Sequence, residues 1–267
     1  MMKRFTLFGK MLILLGIIGF TQTVAHGQDQ PAPPSGLHPV AGSASSAPPV
    51  APGPPPVSSP PPLMPDAGSP PALQYVAPGV FEIGKCKITK AEGKVEFPAS
   101  VNMKEGMLEY LLVGNTGKLH ESLLRTDVEP YALQIALLLS GLEGSLSPLS
   151  AQGEDKLPEG DAVEIMVRWQ DNGKEKKARI EEMVLQGKEA VGQVPWVFTG
   201  SVVREGIFAA QADKSIIAVF HDPVALIDHR LQGGNNDEIW SVNSQATPAV
   251  GTPMTVTITK KQAKANK

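Results

Sequence analysis

The sequence predicts an α+β domain, in which a mostly antiparallel β-sheet carries one principal buried helix at about residues 127–140. The sheet is predicted by strict alternation of apolar and polar residues over residues 163–169 and 254–259, which is the period of half-buried strands. The helix is predicted by residues 131–139, which are apolar on nearly every face. A helix of that composition is expected to be covered on most sides, and therefore to lie across the sheet as part of the main core.

Strands account for most of the predicted elements. The best-defined pair is a hairpin, because Asn172-Gly173 joins the strand at 163–169 to the basic arm at 174–180 and Asn-Gly accommodates the positive φ angles of a type I′ turn. Further strands are predicted at residues 80–90, 94–102, 106–113, 118–124, 194–199, 215–220 and 238–243, and the strand at 118–124 is expected to return from a turn at 114–117.

The helix has recognisable signals at both ends. Thr126 and Glu129 have the spacing of a capping box, Pro130 falls within the first turn, and Gly141 follows the last apolar residue. A proline costs little in the first turn, and a glycine is the usual residue just past a helix end.

The ends of the chain predict export. Residues 1–27 combine basic residues, the apolar run MLILLGIIGF and a small-residue site at Ala25-His26-Gly27, which together are typical of a secretory signal peptide. The run is about half the ~20 residues that span a bilayer, so we expect cleavage, a periplasmic or extracellular location and no remaining transmembrane span. A membrane tether through an uncleaved signal anchor is the alternative.

Composition divides the rest of the chain. Residues 28–74 contain 16 of the 25 prolines and neither lysine nor arginine, so they are predicted to form a disordered, semi-rigid linker rather than a core. Residues 75–260 are long enough for one well-buried domain. Residues 261–267 are predicted to form a basic, flexible tail.

Charge and cysteine content exclude several classes of protein. The net charge of −3 gives no electrostatic reason to expect nucleic-acid binding. The single cysteine, Cys86, cannot form an internal disulfide or supply the thiolates of an iron–sulfur cluster or a structural zinc site, and we predict no cofactor. Its place in a strand predicts a buried small hydrophobe rather than a reactive thiol.

The most prominent polar cluster is His120-Glu121-Ser122, with Arg125 close by. In the predicted strand Glu121 lies on the apolar face, away from His120, so the three residues make a poor catalytic triad. Burying a glutamate requires partners, and Arg125 or the amides at the helix start would supply them. Two interpretations follow: a structural latch between helix and sheet, or a ligand-binding cluster. No catalytic residue is assigned.

Three histidines and two tryptophans are the remaining candidates. His120, His221 and His229 lie in separate segments without the spacing of a zinc motif, so no metal site is assigned. Trp196 and Trp240 are expected to anchor the core through hydrogen-bonded indoles, or alternatively to form the aromatic wall of a ligand cleft.

The chain resembles the YdjY-domain family of exported bacterial proteins over most of residues 77–260. The resemblance is carried by Glu109-Tyr110, by GKLHESLL at 117–124, by Pro130 opening a leucine-rich helix that stops at Gly141, and by WVFTGS at 196–201. It implies an exported protein with one compact domain, and it implies no particular activity.

The leading hypothesis is therefore a non-catalytic binding or cell-envelope module that meets an unknown protein or small-molecule partner in the cell envelope. The alternative is a metal-assisted hydrolase that uses His120 together with His221 or His229. The third hypothesis is a purely structural cell-envelope assembly module, in which the His120-Glu121-Ser122 segment only holds the fold together.

Overall fold

The structure is a computed structural model, and it describes residues 71–262. The predicted signal peptide at 1–27 and nearly all of the proline-rich segment at 28–74 lie outside this range, as does most of the predicted tail at 261–267. None of the helices between residues 71 and 262 is long and apolar enough to cross a membrane.

The described residues are mainly strands: 41% are in strands and 13% in helices. The strands are β1 (Leu73–Ala77), β2 (Val80–Ile83), β3 (Cys86–Thr89), β4 (Lys94–Val101), β5 (Tyr110–Gly114), β6 (Ser122–Thr126), β7 (Asp161–Asp171), β8 (Lys174–Arg179), β9 (Val184–Gln186), β10 (Glu189–Ala190), β11 (Trp196–Phe198), β12 (Val203–Arg204), β13 (Ile207–Phe208), β14 (Ser215–Ala218), β15 (Ile227–His229), β16 (Trp240–Val242) and β17 (Pro253–Lys260). The helices are α1 (Pro130–Leu139) and α2 (Ala209–Asp213), with 3₁₀ turns at Lys90–Glu92, Leu119–Glu121 and Ile180–Met183.

Eight of the strands close into a barrel, in the order β4, β17, β7, β11, β15, β14, β5 and β6. Strand β6 completes the ring by pairing with β4, where Ser100 lies opposite Arg125 and Val101 opposite Leu124. The alternation seen in the sequence fills the interior, since Val163, Ile165 and Val167 are fully buried. Strands β1 to β3 extend the sheet beyond β4, and β9, β10 and β16 form a separate small sheet.

The prediction of an α+β fold built on a principal helix is wrong. Helix α1 has ten residues and packs against β2 and β3, the strands that extend the sheet beyond the barrel, and against β4. One side buries Leu133, Ala136 and Leu137, whereas Tyr131 and Leu138 are 43% and 47% exposed. A leucine-rich sequence shows that a helix can be buried, but an exposed leucine is ordinary, so the number of covered faces cannot be read from composition.

The capping box is also absent. The N-cap is Glu129, which makes no side-chain capping bond. The Thr126 hydroxyl instead accepts from the Val128 amide at 3.1 Å and donates to the Pro98 carbonyl at 2.6 Å. It thereby fastens the end of β6 to β4.

The hairpin prediction is confirmed, because β7 and β8 pair antiparallel around Asn172 and Gly173, whose φ angles are 50° and 76°. Cys86 is confirmed as a core residue: it is fully buried, and burial raises the pKa of its thiol to about 12.

Two neighbouring pairs in the barrel are parallel, β5 with β6 and β14 with β15. The expected returning strand at 118–124 is therefore wrong, since β6 runs in the same direction as β5. The short connections 115–121 and 219–226 carry the chain back to the starting end of each pair. Polar residues at the ends of several strands are brought together in this way.

Candidate functional site

One end of the barrel gathers most of the residues that the sequence singled out, with the exception of Arg125. Tyr110, the first residue of β5, lies beside Ser122 of β6 on one side and Ala218 of β14 on the other. Strand β15 runs parallel to β14 and finishes at this end with His229, which lies opposite Trp196 of β11. The strand register thus places the His120 and His221 segments at the same end.

The His120-Glu121-Ser122 segment is a 3₁₀ turn that runs into β6. The side-chain amide of Asn102 fixes it by donating to the carbonyl oxygens of Leu119 at 2.6 Å and Ser122 at 2.7 Å. Ser122 is fully buried, and its hydroxyl donates to the Lys118 carbonyl at 2.6 Å. Ser122 therefore holds the turn together, whereas His120 is largely exposed and Glu121 is half-buried.

Glu121 belongs to a group of charges at the surface. Lys118 Nζ lies 3.2 Å from Glu121 and 3.0 Å from Glu109, and His120 Nε2 lies 3.5 Å from Glu121. Burial and the charge of Glu109 raise the pKa of Glu121, against the opposing effect of Lys118. Lys118 thus forms ion pairs with two neighbouring, half-buried glutamates. His120 itself is 79% exposed.

Arg125 is not part of this group. It points to the outside of the barrel and lines a separate groove of about 320 Å³ with Asn115 and Asp127. The sequence predicted Arg125 or the amides at the helix start as partners of Glu121. In the structure Lys118 pairs with Glu121, and Arg125 lies on β6 rather than on the turn before it.

An open cleft of about 390 Å³ lies beside Glu121. We call it the carboxylate cleft; its lining consists of four acidic and two apolar residues, Glu109, Glu121, Asp237, Glu238, Met107 and Leu108. Met107 is 47% exposed there. The cleft therefore combines concentrated negative charge with accessible apolar surface.

Behind the cleft lies a buried histidine pair. The rings of His221 and His229 have centroids 5.2 Å apart, and candidate ligand atoms of His221, Asp228 and His229 all lie within 4.8 Å of one another. His120 is not in this group, so the structure does not bring together the residues of the hydrolase hypothesis.

The donor atoms of this trio are already engaged. His229 accepts from the Leu231 amide at Nδ1 (3.1 Å) and contacts the Val219 carbonyl at Nε2 (2.7 Å). Burial lowers the pKa of His229 to about 4, in keeping with a neutral ring. Both ring nitrogens of His221 likewise face backbone carbonyls. A metal ion needs free lone pairs directed at one point, and this arrangement does not provide them.

Trp196 and Trp240 do come together, because both pack edge-on against His229. The indole centroids lie 5.7 and 5.0 Å from the imidazole centroid. Their N–H groups donate to Glu181 at 3.2 Å and to the Gly233 carbonyl at 3.1 Å. The cavity that they line holds about 10 Å³, which is room for about one water molecule.

Hydrogen bonds link the cleft to the buried pair. The side-chain amide of Gln152 donates to the Glu109 carboxylate at 3.1 Å and to the Tyr110 hydroxyl at 3.3 Å. The Tyr110 hydroxyl donates to the Asp222 carboxylate at 2.7 Å, and the backbone amide of Asp222 donates to the Asp228 carboxylate at 3.0 Å. A continuous polar path therefore runs from the surface glutamates to the centre of the barrel end.

Several of these residues were missed by sequence reasoning, notably Asn102, Glu109, Lys118, Gln152 and Asp228. Asn102, Gln152 and Asp228 come from segments remote in sequence, and only the closure of the barrel makes them neighbours. Lys118 alone carried a local signal, since it lies three residues before Glu121.

The family model described as the YdjY domain matches residues 86–259 of the chain, well over half of its length. No curated protein and no solved structure matches the chain.

Proposed function

The chain belongs to the YdjY-domain family, and we propose that it is an exported cell-envelope domain that binds a basic peptide segment of a partner protein in the carboxylate cleft. The amino-terminal features of the sequence support export, and the proline-rich segment suits a spacer that holds the domain away from its point of attachment.

The observation that carries the proposal is the unbalanced charge of the cleft. Four carboxylates line it, and the nearest ammonium group, that of Lys118, pairs with both Glu109 and Glu121. The pKa of Glu121 is raised because its carboxylate is partly buried and lies beside the negative charge of Glu109. A cationic ligand relieves this repulsion, and its binding is favoured for that reason.

The apolar part of the lining favours a peptide over a bare ion. Lysine and arginine carry long apolar stems below their charges, and methionine adapts its shape to such partners. Met107, exposed at the cleft, provides this surface. A segment that alternates basic and apolar residues satisfies both halves of the lining.

The contacts of the two buried histidines, His221 and His229, support binding rather than hydrolysis. A general base needs a ring nitrogen that is free to take a proton from a nucleophile. The ring nitrogens of His221 and His229 are occupied by backbone groups, so neither of these buried histidines is free to act in this way.

The test is fluorescence anisotropy of a short labelled peptide of alternating lysine and leucine, titrated with the full chain. In the cleft variant, Asp237→Asn with Glu238→Gln, we expect roughly tenfold weaker binding, because each lost charge pair contributes up to about 1 kcal/mol. The matched control carries Asp171→Asn with Glu175→Gln, which removes the same charge from the β7–β8 hairpin, and it should bind within about twofold of the parent.

Equal losses in both variants would show attraction to overall negative charge rather than to the cleft. Binding of spermidine with the affinity of the peptide would assign the cleft to small amines and refute the peptide proposal. A peptide of alternating glutamate and leucine should not bind.

A further inference from the structure

Strand β1 forms a free edge of the large sheet. It pairs with β2 along one side, and none of the strands between residues 71 and 262 pairs with its other side. Alternate residues of such a strand direct their backbone N–H and C=O groups away from the sheet, where they are available to another strand. In the part of the chain that the structure describes, this edge is therefore open to one further strand.

The same edge exposes large apolar side chains. Leu73 and Tyr75, which lie two residues apart and therefore share one face of the strand, are 49% and 67% exposed, and Val76 is 50% exposed. The Tyr75 ring packs edge-on against Phe81 of β2, with ring centroids 5.9 Å apart, so it is held on the sheet and still largely in contact with water. Exposed apolar residues on an unpaired strand are typical of a site of association.

The absence of charge on β1 identifies the strand that would fit it. Strand β8 is another free edge of the sheet in the described residues, and its sequence KEKKAR exposes Lys174, Lys176 and Lys177. Lysines on an edge repel a second copy of the same strand. Strand β1, with the sequence LQYVA, has no charged residue, and the whole chain carries a net charge of only −3. Two copies can therefore meet at β1 without opposing like charges.

Two features limit how far β1 can pair. Pro71 precedes the strand, and a proline has no N–H to donate. The pairing with β2 is regular from Leu73 to Tyr75 and then slips through a β-bulge before Ala77, which bends the edge. A two-fold axis at Gln74 uses the regular part completely, because it places Tyr75 of each copy opposite Leu73 of the other.

We propose that β1 is a self-association edge, at which two copies of this chain join their sheets by antiparallel pairing of β1 with β1 about a two-fold axis at Gln74. Each Tyr75 then packs against the second copy's Leu73, and the two Gln74 amides meet at the axis. Aromatic–aliphatic and hydrogen-bonded cross-strand pairs stabilise such a junction. The paired segment is short, so the interface falls below the roughly 1,200 Å² of stable complexes and the dimer is reversible. The inference does not depend on what the carboxylate cleft binds.

The first test is sedimentation velocity of the full chain at concentrations from about 5 to 500 µM, over which a reversible dimer follows mass action. Tyr75→Lys should weaken association by about tenfold or more, because the aromatic contact is lost and lysines are introduced at the junction. Tyr131→Lys is the matched control, since Tyr131 is also exposed and also packs edge-on against a phenylalanine, Phe208. It should associate within about twofold of the parent.

Three outcomes of this comparison would overturn the proposal. The first is a parent chain that stays monomeric over the whole range. The second is association that Tyr75→Lys leaves unchanged, which would assign it to another part of the chain. The third is an equal loss in Tyr75→Lys and Tyr131→Lys, which would show a general effect of added positive charge.

Disulfide crosslinking tests the register and does not depend on the folding of Tyr75→Lys. The chain is suited to it because its single cysteine, Cys86, is fully buried. Gln74→Cys places two thiols directly opposite each other, with Cα atoms about 5 Å apart, which a disulfide can span. Tyr75→Cys places them diagonally, at about 7–8 Å. Gln74→Cys should therefore form the covalent dimer at least about tenfold faster under mild oxidation. Equal rates, or faster crosslinking of Tyr75→Cys, would overturn the proposed pairing.

Discussion

The stability of the protein should fall in acid because His229 must stay neutral in the folded state. Its ring packs against Trp196 and Trp240, both of its nitrogens contact backbone groups, and burial lowers its pKa to about 4 from 6.5. Because the folded-state pKa lies below the unfolded one, the unfolded chain takes up a proton first as the pH falls. The contribution to stability is present above pH 6.5 and is lost between pH 6.5 and 4.

The size of this loss follows from the shift of the pKa. A difference of 2.5 units between 6.5 and 4, at about 1.4 kcal/mol per unit, is worth about 3 kcal/mol at most. At pH 4.5 most of this contribution should already be lost.

The assay is urea unfolding of the parent chain and of His229→Gln at pH 7.0, 5.5 and 4.5, followed by tryptophan fluorescence. Glutamine does not titrate, and its amide keeps a donor for the Val219 carbonyl. The variant should be less stable at pH 7, but its free energy of unfolding should fall by about 2 kcal/mol less than that of the parent between pH 7.0 and 4.5. Parallel pH dependence in the two proteins would refute the account of His229.

Three further predictions concern structural positions. Asn102→Ala should lower the free energy of unfolding by about 2 kcal/mol in urea titrations, because two carbonyl oxygens of the 3₁₀ turn lose their donor; an unchanged midpoint would contradict this role. Gly234→Ala should cost about 3 kcal/mol, since its methyl group overlaps His221, whereas Gly192→Ala, with no atom near the added methyl group, should be close to neutral in the same titration. Cys86 should resist a thiol-labelling reagent in the folded protein and react only in denaturant, because its thiol is buried and its pKa is about 12; labelling without denaturant would contradict the packing.

Local patterns in the sequence predicted local structure well. The alternation at 163–169 and the Asn172-Gly173 turn led directly to β7 and β8, because a strand's period and a turn's φ angles depend on neighbouring residues. Cys86 was placed in the core on the same basis.

Closure of the barrel was not predictable in this way. It depends on β6 pairing with β4 and on two parallel pairs joined by short connections. Parallel strands usually need a connection of a dozen or more residues, whereas the turn predicted at 114–117 implied that the strand at 118–124 returns antiparallel. That inference reversed β6 and placed Glu121 on an apolar face.

The candidate site was only partly predicted, because its residues become neighbours through the same barrel closure. The sequence identified His120 and Glu121, but their neighbours Glu109 and Lys118 became apparent only when β5 and β6 were known to start at the same end. The sequence named the two tryptophans and His229 as separate candidates, and only the structure shows that both indoles pack against that imidazole.

The most direct test of the binding proposal is chemical-shift mapping of the lysine–leucine peptide on the ¹⁵N-labelled full chain. The account predicts saturable changes at residues 107–109, 118–121 and 237–238, with little change at the β7–β8 hairpin. Changes centred on the groove beside Arg125, or scattered over every acidic surface, would contradict the assignment of the cleft as the binding site.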